Sequence, residues 1–156
     1  MKYFIYIFFV LLLNCKQNKN ELNENDIISI IHQSNNIINN ITDNYYILDK
    51  RFKNPGKHTL GMTSNDITII KRRIITEDID KLDNNLQFVK SCKKTCLSEI
   101  TIKYKSGRVQ HFIFDNYLYK SRINNRAYKK LTNLEEIISK IIMKKKIDPE
   151  SINVHI

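Results

Sequence analysis

The stretch Ile100-Thr101-Ile102-Lys103-Tyr104-Lys105-Ser106-Gly107-Arg108-Val109-Gln110-His111-Phe112-Ile113-Phe114 decides the fold. Apolar and polar residues alternate from Ile100 to Tyr104, the period of a strand with one buried face. Ser106-Gly107 turns the chain, glycine being free to take the positive φ of a tight hairpin, and Val109 to Phe114 returns. Three successive apolar residues, Phe112, Ile113 and Phe114, indicate a strand covered on both faces and therefore inside a sheet. Asp115-Asn116 bends the chain into Tyr117-Leu118-Tyr119, read as a third strand over about 117–120.

On the C-terminal side, Thr132-Asn133-Leu134-Glu135 has the form of a helix capping box. Leu134, Ile137, Ile138, Ile141 and Ile142 form its apolar stripe, and Lys144-Lys145-Lys146 suit the negative end. Asp148-Pro149 stops the helix, because the residue before proline avoids helical ψ. On the N-terminal side, Thr63-Ser64-Asn65-Asp66 offers a second helix start, and Ile67, Ile70, Ile74 and Ile75 share one face. The β-branched density there also admits a strand. Thr76–Leu82 is acidic and reads as a further short helical turn. Tyr45–Leu48 reads as a strand, and Asn54-Pro55-Gly56-Lys57 as a type II turn before a returning strand from His58 to Met62. Asn25 or Asp26 can cap a first helix, along which Ile27, Ile28, Ile30, Ile31, Ser34, Ile37, Ile38 and Ile41 follow helical spacing. His32 sits among these isoleucines and is read as a satisfied core residue. The expected fold class is α+β: a small antiparallel sheet, hairpin 99–115 plus 117–120, packed by two or three helices.

The N-terminus sets a different expectation. Lys2 precedes an unbroken apolar run from Tyr3 to Leu13, followed by Asn14 and Cys15. As a helix this run is roughly 16 Å long, too short for about 30 Å of bilayer hydrocarbon and suited to a signal peptide. Leu12-Leu13-Asn14-Cys15 resembles the cleavage box of bacterial lipoproteins, with Leu12 and Cys15 in their places and larger residues than usual between them. That resemblance implies cleavage before Cys15 and acylation of its sulfur; more than one acyl chain is needed for stable anchoring. Residues 1–14 are then a signal peptide, 15–24 a polar tether, and 25–156 a single domain. The expected location is the cell envelope, membrane-anchored and facing the periplasm or the exterior.

The formal net charge is +10. A basic chain invites acidic partners, nucleic acid or anionic lipid. Here Ile, Lys and Asn crowd every segment, the amino acids of A/T-rich codons, so the excess reads as a solvated surface. An exported location argues against nucleic acid. With Cys15 assigned to lipid, Cys92 and Cys96 remain, and in an oxidising compartment two cysteines this close are expected to form a disulfide. A redox pair is the alternative, since Lys93 and Lys94 favour a thiolate, although three residues intervene where the oxidoreductase motif has two. Zinc would need four ligands, and only His111 offers a third. Cys92, Thr95, Cys96 and Gly107 also resemble an uncharacterised domain of exported bacterial proteins, with Lys94 and Leu97 departing from its Gly and Pro. That resemblance implies no function beyond a preference for α+β.

No Gly-x-Ser-x-Gly, His-Glu-x-x-His or phosphate-cradling glycine loop occurs in a chain with three glycines and four scattered histidines. Glu77, Asp78, Asp80 and Asp83 lack the alternation of a calcium loop. No cofactor, metal or catalytic residue is assigned. The expected function is a lipid-anchored, non-enzymatic binding module, immunity-like in one version. Its membrane contact is the anchor, and an acidic protein partner is met by Lys93, Lys94, Lys103, Lys105 and Arg108 around the hairpin. The alternative is an envelope hydrolase with an unrecognised site. The same lysines also serve as edge-strand protection.

Overall fold

The computed structural model describes residues 22–89, 96–115 and 124–145. The expected signal peptide, Cys15, the strand expected over 117–120, Lys146 and Asp148-Pro149 lie outside the described residues. The elements in order are β1 (Ile27–Ser34), β2 (Ile37–Asn40), β3 (Tyr45–Leu48), β4 (Gly56–Thr59), α1 (Ser64–Thr76), β5 (Asn85–Phe88), β6 (Leu97–Tyr104), β7 (Val109–Asp115) and α2 (Arg126–Met143). Short 3₁₀ turns cover Glu24–Asp26 and Ile79–Lys81. The strands make one seven-stranded sheet, ordered β4-β3-β2-β1-β6-β7-β5. Every neighbouring pair is antiparallel except β5 and β7. The fold is α+β, with a larger sheet than the sequence suggests and two α-helices among the described residues.

The β6–β7 hairpin forms as expected, with Gly107 at φ +84°. Ser98, Ile100, Ile102 and Tyr104 are buried in alternation on β6, and Gln110, Phe112 and Phe114 on β7. The register pairs Ile100 with Phe112 and with His32, and Ile102 with Gln110 and with Ile30, so one continuous face of the sheet is buried. Ile70 and Ile74 of α1 and Leu131, Leu134 and Ile138 of α2 complete the core on that face. Ile113 is half-buried, so β7 is covered fully on one side only.

The first helix expected from the sequence is instead the β1–β2 hairpin. Ser34 pairs with Ile37 across a two-residue loop. Both loop residues are left-handed, Asn35 at φ +49° and Asn36 at φ +65°, the type I′ geometry that matches strand twist. The register slips at a β-bulge between Ile27 and Ser29. That extra residue puts the buried side chains at Ile27, Ile30 and His32, and the three-residue step imitates helical spacing.

Other boundaries shift for local reasons. Gly56, at φ +117°, is the first residue of β4, opposite Leu48, so the turn precedes Pro55-Gly56 and the strand ends at Thr59. Strand β5 was not expected; Leu86 and Phe88 supply its alternation, paired with Phe112 and Phe114. Helix α2 begins at Arg126, where the Asn125 side chain accepts the Tyr128 N–H at 3.0 Å. Thr132-Asn133-Leu134-Glu135 is therefore helix interior, although the apolar stripe beyond it is buried or half-buried as read. Leu22, inside the expected tether, packs on the core, and Glu24 pairs with Arg72 at 2.8 Å.

Helix α1 starts as read. Thr63 and Asp66 form a reciprocal capping box, and Lys145 reaches Asp66 at 2.6 Å. The Lys145 ammonium first, then the Thr63 N–H and hydroxyl, lower the Asp66 carboxyl to about 2 from an ordinary 3.8. A carboxyl held down in the folded state stabilises fully above its ordinary value and stops doing so as pH falls through about 2. Asp66→Asn is expected to cost about 1 kcal/mol near neutrality, and urea unfolding should show that gap closing between about pH 4 and pH 2. Asn36→Gly relieves a left-handed side-chain residue and should raise stability by about 0.5–1 kcal/mol in the same assay.

Candidate functional site

Polar side chains gather in a buried cluster and in a network under the hairpin turn, with exposed surfaces beside them. In the buried cluster, Nε2 of His32 on β1 lies 2.6 Å from Oε2 of Glu135 on α2. Both residues are buried. The Ser98 hydroxyl donates to Glu135 Oε1 at 3.1 Å, Ser139 adds a longer contact at 3.4 Å, and Asn39 Nδ2 sits 3.3 Å from His32 Nδ1. The His32–Glu135 contact is close without being an aligned hydrogen bond, since neither atom meets hydrogen-bond geometry. His32 is thus a core histidine, as expected, but its Nε2 lacks an aligned hydrogen bond, and the glutamate of the expected capping box is its neighbour. A serine, a histidine and a carboxylate are together here, but the serine faces the carboxylate rather than the imidazole. A nucleophile needs the base beside it, so this arrangement fixes helix to sheet.

The second network lies beneath the β6–β7 turn. Gln110 Nε2 donates to the carbonyls of Ile79 and Leu82 at 3.1 and 2.8 Å, and the Tyr104 hydroxyl donates to Gln110 Oε1. Burial pushes the Tyr104 hydroxyl well above the usual tyrosine range. Arg108 donates to Asn84 Oδ1 at 2.8 Å, to Leu82 O at 3.2 Å and to Asp80 O. Its guanidinium therefore closes the 3₁₀ turn onto the hairpin rather than facing a partner.

Of the remaining lysines expected to meet a partner, two are described. Lys103 and Lys105 are exposed at the turn end of the hairpin. Cys96 stands at the opposite end of β6, about 23 Å away along the strand; Cys92, Lys93 and Lys94 lie outside the described residues, and so does the expected disulfide. Among the described residues no group of three His, Cys, Asp or Glu side chains is placed to hold a metal, and no helix is long and apolar enough to cross a membrane.

Two surfaces stand out. Both helices pack on one face of the sheet, and no described element covers the other. Register places Lys57, Ile47, Ile38, Gln33, Glu99, Ile113 and Gln87 in one row from β4 to β5 on that open face. Ile31 lies in the next row between Asn40 and Thr101, and Val109 and Lys103 are paired in a third. The four isoleucines are half-buried and Val109 is 44% exposed. Glu99 is approached by His111 at 3.4 Å, Asp115 at the far end is buried, and Lys57 and Lys103 are left exposed.

The second surface is an open cleft of about 360 Å³ between the first 3₁₀ turn, the β2–β3 turn and the start of α1. The Asn40 side chain shapes one wall: its Oδ1 accepts the Asp43 N–H at 3.0 Å and the Thr42 hydroxyl at 3.1 Å. The sequence carried no sign of this cleft, because three separate segments build it. No protein-family model, no curated protein and no solved structure matches the chain.

His32→Ala strands a buried carboxylate with only serine hydroxyls and should cost about 2–4 kcal/mol in urea unfolding. Replacing both residues, His32→Leu with Glu135→Leu, should recover at least about half of that loss. Additive losses in the double variant would show that the two side chains act independently.

Proposed function

We propose that the chain is a lipid-anchored envelope protein that works by binding, holding an acidic protein partner against the open face of its sheet. The carrying observation is that face: half-buried isoleucines across several strands, with two exposed lysines and the Glu99 carboxylate approached by His111 at 3.4 Å. Isoleucines interleaved with polar side chains have the mixed composition of a protein contact; Lys103 is exposed and Lys57 lies over the Tyr45 ring at 3.8 Å, and these cations favour a partner of opposite sign. The anchor rests on the leader and Cys15, and the expected Cys92–Cys96 bond on the oxidising compartment that such export implies. Protection against a toxin is one use of such a module. Of the basic residues expected at the contact, Lys103 belongs to this face, Lys105 flanks it at the turn, Arg108 serves the fold, and Lys93 and Lys94 lie outside the described residues.

A photo-cross-linking residue in place of Ile38 or Ile47, in the intact protein in its native envelope, should capture one recurring protein. Lys57→Glu with Lys103→Glu should weaken capture about tenfold, whereas Lys140→Glu on the helical layer should leave it unchanged. Equal capture from a probe at Lys140 would remove the open face from consideration. Mass spectrometry of the mature N-terminus tests the anchor: the expected product begins at an acylated Cys15.

A further inference from the structure

We propose that the cleft beside the first 3₁₀ turn takes a phosphate-plus-ammonium group, the chemistry of a zwitterionic lipid head group. Three observations converge on it. The β-bulge in β1 turns Ile28 out of the core; the side chain is 51% exposed and lines the cleft. Bulges re-aim side chains in this way where a strand borders a binding surface. Lys71 lines the same cleft and makes no ion pair among the described residues, while its neighbour Arg72 is held by Glu24. Asp43, on the facing turn, accepts Asn40 Nδ2 at 2.9 Å through Oδ2, which leaves Oδ1 open to a donor.

An ammonium from Lys71 and the hydroxyls of Ser64 and Thr68 match a phosphate. The free oxygen of Asp43 matches a primary ammonium, and Ile28 offers apolar surface to the alkyl carbons between or beyond them. A cleft of about 360 Å³ is at the small end of ligand sites, in keeping with a head group rather than a whole lipid. Its position supplies the source. Glu24 and Asn25 form part of its wall, and Cys15 lies seven residues before Leu22. Seven residues reach at most about 25 Å and typically about 15 Å, so an anchored chain holds this cleft within reach of the head groups. That last step rests on the anchor reading; the chemistry of the cleft does not.

The test is calorimetric titration of the full-length mature protein in detergent with phosphoethanolamine, inorganic phosphate and ethanolamine. Phosphoethanolamine should saturate and bind at least about tenfold more tightly than either fragment. Lys71→Met should weaken phosphoethanolamine and phosphate alike, whereas Asp43→Asn should weaken phosphoethanolamine and leave phosphate unchanged; unchanged thermal unfolding shows that both variants are folded. Absence of saturation, or binding indifferent to Lys71→Met, overturns the proposal. Nanodiscs of phosphatidylethanolamine against phosphatidylglycerol separate the sources. Lys71-dependent preference for the former assigns the lipid, and binding of free phosphoethanolamine alone assigns a soluble ligand. N-terminal mass spectrometry of the same sample keeps the two readings apart. An acylated protein that does not bind removes the cleft alone, and an unacylated one that does bind removes the anchor alone.

Discussion

The structure depends on β1 lying against β6. Residues 27–33 meet 99–104 in antiparallel register, and this is the seam between the β1–β4 meander and the β5–β7 unit. Without it neither part has a complete core: Ile30 finds Ile102, and His32 finds Ile100, only across that seam. The bulge at Ile27 fixes the phase, since a slip of one residue would turn every buried side chain of β1 to the other face. Contacts separated by some seventy residues carry a loop-closure cost that local hairpins do not, so the two halves are expected to form their own turns first and join late.

Polar groups inside the core follow from the same seam. His32, Ser98 and Glu135 sit where β1, β6 and α2 meet, and Tyr104 and Gln110 sit where the hairpin meets the second 3₁₀ turn. Each ties an element distant in sequence to the sheet. Apolar side chains would hold these elements equally well or better, but they would not specify a single docking position for α2. Here the position is set by one carboxylate that must reach both an imidazole and a hydroxyl.

What the sequence disclosed was what local chemistry determines. The Gly107 hairpin, the Thr63–Asp66 box and the isoleucine stripes of both helices were legible because each signal lies within a few residues. The bulge defeated periodicity: Ile27, Ile30 and Ile31 look helical until one residue is removed from the count, and Asn35-Asn36 was the turn signal that could have corrected it. Strand β5 is four residues long, and only Leu86 and Phe88 mark it. Thr132-x-x-Glu135 met the pattern of a cap by coincidence, because nothing local shows that Glu135 will find a histidine on another element. The cleft and the open face come from three segments and seven strands respectively, and no single stretch of chain could have revealed them.

The incoming chain passes from the capped Glu24–Asp26 turn straight into the central strand rather than into an edge. A pull applied at the N-terminal end of the described chain is therefore directed along β1, which is bonded on both sides, to β2 and to β6. Tension applied in this direction loads the two ladders in shear, so that many hydrogen bonds must fail together, whereas an edge strand would peel one bond at a time. A domain loaded through this strand resists being unravelled from its N-terminal end.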